Sequence, residues 1–367
     1  SGRRTYADLF FPLATDTSLK KSTMYFYDLN LKINHQINDN NRLYLSAYLG
    51  RDIFGQKGSS EIGFGNKTFT LRWNHLFSTK LFSNITAIIS KYDYSLSMNQ
   101  ASSKYFWKSS LKDHTLKLDF NYYLTPENEI KFGVSSTYHD IDPCNAWIEG
   151  DGSSITIPYP KNYELDHAAY ISNQQKIGNN ITLKYGLRYS VFQNLGKTFS
   201  YKFGTDYSVI DTINYASGEI FNTYHALDPR LGIVYNINTK SSVKASYSHT
   251  TQFMQLASNS SGGMPLDIWF PSSPNIKPQK ADQYAIGYFR NLFDNTIETS
   301  VETYYKKMDN VVDFKDHAAL LMNPRMEGDI RIGTAKAYGI EFFIKKNDGK
   351  LTGWVSYTLS KVERKIR

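Results

Sequence analysis

Few residues of this chain could ligate a metal or activate a nucleophile. Eight histidines (His35, His75, His114, His139, His167, His225, His249 and His317) and one cysteine, Cys144, are scattered through 367 residues. None of the histidines falls in a His-x-x-x-His spacing. A single cysteine can build neither an intrachain disulfide nor a Cys-based zinc site. A Gly-x-Ser-x-Gly elbow and a phosphate-cradling Walker loop are both missing, and Gly63-Phe64-Gly65 and Gly262-Gly263 read as loop glycines. The chain is therefore expected to hold no catalytic residue, no cofactor and no resident metal. His139, with Asp140 and Asp142 beside it, is best placed for a metal or haem contact. The competing reading is a polar histidine at a strand top.

Binding chemistry is better supplied. The stretch Asp140–Asn162 carries Trp147, Tyr159 and Cys144, and Thr251–Pro278 carries Phe253, Met254, Asp267, Trp269 and Phe270. Flat rings on long connections bury area at low entropy cost and stack on sugars, haem or catechol rings. Trp147, Tyr159, Phe253, Asp267 and Trp269 are the candidate ligand contacts. The plainer alternative is that these rings pack loop against loop.

The elements that hold these stretches apart alternate with period two. From Tyr25 to Ile37, Tyr25, Tyr27, Leu29, Leu31, Ile33 and Ile37 alternate with Phe26, Asp28, Asn30, Lys32, Asn34 and Gln36. The period returns in Phe69-x-Leu71-x-Trp73, in Leu116-x-Leu118-x-Phe120-x-Tyr122, and in Ile181-x-Leu183-x-Tyr185-x-Leu187-x-Tyr189-x-Val191. About fourteen such strands follow one another, many about twice the five or six residues usual in soluble sheets. Short turns, as at Asn38–Asn41 and Thr125–Asn128, alternate with long connections near 51–66, 93–112, 140–162, 193–224, 251–278 and 307–332. Short, long, short, long is the rhythm of an outer-membrane barrel with tight periplasmic turns and large outer loops.

Composition and geometry agree with that reading. Mean hydropathy is −0.47, yet 15% of residues are aromatic, which excludes a disordered chain. No apolar run approaches the ~18 residues of a helical span. Thirteen strand residues at ~3.3 Å each reach roughly 43 Å, and tilted by ~40–45° they rise about 30 Å, enough for the ~25 Å apolar band. A soluble β-sandwich would need shorter strands at closer spacing. The net charge of +8 is scattered rather than run together, so nucleic acid is not an expected partner. Asp28, Asn30, Lys32 and Asn34 are expected to face the lumen, as a hydrated wall or the surface a plug docks on. Leu45 and Leu187 are expected to face lipid.

The ends carry their own expectation. Ser1-Gly2-Arg3-Arg4 is not followed by an apolar signal core, so a secretory signal is expected to have been removed or to lie elsewhere. The first long strand runs from an outer segment down to a short turn, the last runs upward, and Lys365-Ile366-Arg367 closes without a terminal aromatic. Two unpaired edges would stand in lipid. The whole stretch 1–367 therefore reads as one all-β domain, an internal piece of a larger transmembrane antiparallel barrel.

Several stretches together resemble the barrel of TonB-dependent outer-membrane receptors. They are Asp228-Pro229-Arg230-Leu231-Gly232-Ile233, Val243-Lys244-Ala245-Ser246-Tyr247-Ser248, and Ile276-Lys277-Pro278-Gln279 leading into Tyr284-Ala285-Ile286-Gly287-Tyr288. Glu302-Thr303-Tyr304-Tyr305-Lys306-Lys307-Met308, Ala337-Tyr338-Gly339-Ile340-Glu341 and Gly353-Trp354-Val355-Ser356-Tyr357-Thr358-Leu359-Ser360 complete the series. The likeness covers most of the chain and is closest from Asp228 onward.

The resemblance implies a 22-stranded barrel, an N-terminal plug and TonB box not found in this sequence, and energised uptake of a scarce ligand across a Gram-negative outer membrane. Siderophore, haem, vitamin, glycan and peptide all stay open as that ligand. The partners it implies are the TonB complex, reached through the N-terminal part, and a surface lipoprotein lid in some systems. Outer-membrane lipid and lipopolysaccharide phosphates are expected to meet the bases near the outer leaflet. The rival readings are a passive pore or surface-binding barrel without energy coupling, and a secreted glycan-binding domain.

Overall fold

The computed structural model describes residues 1–100, 103–150, 153–257, 268–318 and 323–366. It is almost wholly β. β1 (Gly2–Arg4) is a three-residue strip, joined to the next strand by short helical turns. The long strands β2 (Ser22–Asn38), β3 (Asn41–Gln56), β4 (Ser60–Leu76), β5 (Leu81–Gln100), β6 (Ser103–Thr125) and β7 (Asn128–Gly150) then run up and down in sequence. β8 (Ser153–Ile157) folds back on β7 alone. β9 (Asn162–Ile177) and β10 (Ile181–Leu195) resume the series. The hairpin of β11 (Thr198–Phe203) and β12 (Val209–Tyr215) lies outside it, as does that of β15 (Met254–Ala257) and β16 (Ile268–Pro271). Between and after these hairpins come β13 (Ile220–Asn238), β14 (Ser241–Gln252), β17 (Gln279–Leu292), β18 (Ile297–Phe314), β19 (Ile330–Lys346) and β20 (Gly353–Ile366).

Among the described residues sixteen strands share one antiparallel sheet, each long strand hydrogen-bonded to the next in sequence; without short β1 and β8, fourteen remain. Among the described residues the sheet is open, with β1 at one edge and β20 at the other. Among the described residues no helix is long and apolar enough to cross a membrane.

The period-two pattern sets the faces. Leu29, Leu31, Ile33, Phe69, Leu71, Leu187, Leu231, Ile286, Val301, Phe342 and Ile344 stand 38–54% exposed on one face. A soluble protein does not leave so continuous an apolar surface in water. Two aromatic levels bound it, as interfacial girdles do. Near the short turns, Phe120 stacks on Phe132 with centroids 5.1 Å apart, and Trp73, His75 and Phe77 follow one another. Towards the far end, Tyr247 meets Tyr284 at 4.9 Å and Tyr305 meets Tyr338 at 6.5 Å.

The short turns fall where Asn, Asp, Pro and Gly place them, as at 39–40, 126–127 and 178–180; Gly178, at φ +59°, supplies a left-handed turn residue. The long connections differ from expectation. Residues 51–66 are not a loop: β3 and β4 stay paired from Arg51↔Gly65 to Gln56↔Ser60 and turn over 57–59. Residues 93–112 are likewise paired strand from Asp93↔Ser110 to Gln100↔Ser103, and β7 runs through the expected loop to Gly150. Beyond the apolar band both faces become mixed in polarity. The alternation fades there while the backbone ladder continues, so the sequence pattern underestimates strand length.

Candidate functional site

The buried core sits at the long-connection end. Tyr94, Trp107, Cys144 and Ala146 from β5, β6 and β7 pack with Ala257, Ile268, Phe270 and Ile276 of the 253–278 connection, and with Met326 and Ile330 near the start of β19. Trp107 and Ala146 are wholly buried. Strands far apart in the sheet are thus bridged by connections folded across its concave side.

Polar contacts lock this cap. Asn194 at the end of β10 donates to the Ser272 carbonyl at 2.9 Å and accepts from the Asn222 amide at 2.8 Å. The Tyr224 hydroxyl donates to the Ser273 carbonyl at 2.7 Å. Asn275 donates to the Tyr201 carbonyl at 2.9 Å and to Glu327 Oε2 at 2.6 Å. Burial raises the Glu327 carboxyl above its ordinary value, while hydrogen bonds from Asn275 and Ser273 pull the other way. A cleft of about 50 Å³ opens among Tyr159, Phe199, Tyr201, Phe221, Phe270 and Glu327, with Pro143, Pro160, Pro271 and Pro274 stiffening its walls. Burial also raises the Tyr159 hydroxyl, keeping it a neutral donor.

Below the cap the concave wall is polar and rich in cations. One hollow of about 920 Å³ is lined by Lys117, Asp119, Lys131, Tyr170, Arg188 and Arg230, among others. The Tyr170 ring has the Lys117 ammonium and the Arg188 guanidinium each 5.8 Å from its centroid. A second hollow of about 650 Å³ is lined by Lys32, Asn34, Tyr44, Arg72 and Asn84. Arg72 stacks 4.3 Å over Tyr44, leaving its positive face towards the hollow. Asp28 is paired with Arg3, and the Asn30 backbone is hydrogen-bonded to Ser1.

The aromatic residues singled out from sequence do not form one site. Tyr159 lines the cleft. Phe253 is buried, stacked on Phe192 with centroids 4.8 Å apart, so it packs loop against strand. Trp147 lies on β7, not in a loop, and alternates with buried Ala146. Its ring stacks on Phe106 at 4.9 Å and donates to Glu149, away from the core. Trp269 pairs with Leu256 in the β15–β16 hairpin and is half-buried. Asp267 lies outside the described residues. His139 accepts or donates a 2.7 Å hydrogen bond with Asp113 on β6, and among the described residues no cluster of His, Cys, Asp and Glu could hold a metal.

Comparison with known proteins decides the family. The family model described as "TonB dependent receptor-like, beta-barrel" matches residues 3–365. The chain belongs to this family. Solved structures agree in fold. The ferric-catecholate import receptor Fiu from K12 E. coli superposes with a TM-score of 0.63 at 14% identity, over 94% of this chain and 59% of that one. The copper transporter OprC gives 0.68 at 12%, over 93% and 53%. The alcaligin receptor FauA from Bordetella pertussis gives 0.57 at 16%, over 94% and 53%. No curated protein matches. The TonB-dependent receptor sheet described here thus spans little more than half the length of these structures, and its place is the Gram-negative outer membrane.

Sequence reasoning missed Glu327, Asn275, Asn194 and Tyr201. Glu327 and Asn275 are ordinary polar residues in connections, Asn194 ends β10 and Tyr201 lies on β11, and no spacing marks any of them. The available signal was proline: Pro271-Ser272-Ser273-Pro274 announces a rigid, ordered segment rather than a floppy loop.

Proposed function

We propose that this receptor barrel performs energised uptake of a small anionic chelate, with the TonB complex as its energy source. One observation carries the reading: an aromatic cleft at the cap opens above a concave wall whose cations outnumber its acids, from Lys32 and Arg72 to Lys117, Lys131, Arg188 and Arg230. Rings suit the flat organic part of a chelate, and guanidinium and ammonium groups suit its charge. The ferric-catecholate import receptor and the copper transporter among the similar folds support a metal-bearing cargo.

The test is cellular uptake of radioactive iron presented as ferric catecholate or ferric citrate, in strains with and without TonB. Uptake that requires both the receptor and TonB is expected. Uptake that persists without TonB would favour a passive pore. No uptake of any anionic chelate would overturn the cargo class.

A further inference from the structure

Three lysines stand side by side on the outer face. The register pairs Lys67 of β4 with Lys91 of β5, and Lys91 with Lys112 of β6. Neighbouring strands are ~4.8 Å apart, and like charges placed directly opposite one another destabilise a sheet. Nothing in strand formation calls for such a row.

Its surroundings say what offsets the repulsion. Two residues nearer the short turns, the next row on the same face is Phe69, Ile89, His114 and Tyr138, apolar or aromatic, with Phe69 and Ile89 about half-exposed. The lysines therefore sit one step beyond the apolar band, on the side of the long connections. That is the outer-leaflet side for this class of barrel. Acids supply part of the balance. Asp93 lies 3.0 Å from Arg51 and 3.6 Å from Lys91, and Asp140 lies 2.7 Å from Lys112. Four cations thus meet two carboxylates, and among the described residues Lys67 has no ionic partner. Above the row a groove of about 390 Å³ opens between Arg51, Lys91, Lys108 and Asn145, with the ion-paired Asp93 and Asp142 on its walls.

We propose that this row is a docking site for the phosphorylated glucosamine headgroup of lipid A in the outer leaflet. Acyl chains would lie against Phe69 and Ile89, the sugar in the groove, and the phosphates across the lysines. The row lies on the opposite face of the sheet from the polar wall proposed for ligand uptake, so this site is separate from it.

The test is native mass spectrometry of the detergent-purified protein, titrated with diphosphoryl lipid A and with enzymatically dephosphorylated lipid A. Wild-type protein should retain the diphosphoryl lipid and bind the dephosphorylated one poorly. Replacing all three lysines (Lys67→Gln, Lys91→Gln, Lys112→Gln) should weaken binding of the diphosphoryl lipid by about 100-fold, taking ~1 kcal/mol per lysine at a charged membrane surface. Lys350→Gln, in a turn at the other end, should leave it unchanged. Equal binding by the triple variant, or equal affinity of the wild type for both lipids, would overturn the proposal. So would complete displacement of the lipid by inorganic phosphate. Should the triple variant fail to assemble, the two-lipid comparison on wild-type protein decides alone.

Discussion

The ring of Tyr170 on β9 lies over the bare backbone of Gly133 on β7, so close that a Cβ there would come 2.5 Å from the phenolic oxygen. The missing side chain lets the ring lie flat between Lys117 and Arg188 on the concave wall. Gly133→Val should push the ring out and cost about 1–3 kcal/mol by overpacking. Heat-induced loss of the folded-barrel gel shift should report it, and the added change Tyr170→Ala should recover only the ring's share of the loss, because the Cβ would also crowd the Leu118 carbonyl oxygen. No difference between Gly133→Val and wild type would show that the ring adapts freely.

Face assignment gives a second expectation. Leu187 projects into the apolar band, where an arginine costs about 2–4 kcal/mol near the midplane. Leu187→Arg and Leu45→Arg should impair assembly into the membrane. Asn34→Arg, beside the Lys32 hollow, should be tolerated. Equal assembly of all three would reverse the faces.

The cap offers a third. Phe253 stacks on Phe192 and closes a small core with Ala226. Phe253→Ala should cost about 3–5 kcal/mol locally and expose the 253–278 connection to protease. Trp147→Ala should leave chelate binding unchanged, because that ring stacks on Phe106 on the opposite face from Ala146. Tyr201→Ala should weaken binding. The discriminating measurement is chelate affinity of the two variants side by side.

Glu327 should make the cap sensitive to pH. Burial raises its folded carboxyl above the ordinary 4.5, so the folded state holds a proton that the unfolded chain has released. Stability at this residue is fully present below the ordinary carboxylate value and is lost as pH rises from there through the raised folded value. Hydrogen exchange of the amides at 323–329 should be slower at pH 5 than at pH 8, after correction for intrinsic exchange. Glu327→Gln, which can keep an acceptor for Asn275, should abolish that extra difference.

The sheet was legible in the sequence because a lipid-facing strand is a strict physical filter. One residue out of phase would place Gly186 or Arg188 where Leu187 stands. Outside the band that filter is gone, so β6 and β7 could not be seen to continue past Lys112 and Asp140. The cap was less legible still. Tyr159 was found because tyrosine is conspicuous on a connection. Glu327 and Asn275 meet only after β10, β16 and β19 are in place, and that meeting leaves no local trace. Trp147 misled for the converse reason: a ring on an extended hairpin reads like a ring on a loop.

The strands are unequal in length, and this shapes the approach to the cap. β6 and β7 have 23 residues each, whereas β14 has 12 and β17 has 14. At ~3.3 Å per residue and ~45° of tilt, the longer strands rise about 25 Å higher above the short turns than β14 does. The rim is therefore a slope. A molecule arriving over β14 and β17 meets a low sill, while one arriving from the β5–β7 side meets a parapet of hydrogen-bonded backbone. Bulky visitors are shadowed on one flank, and the way in is oblique rather than vertical.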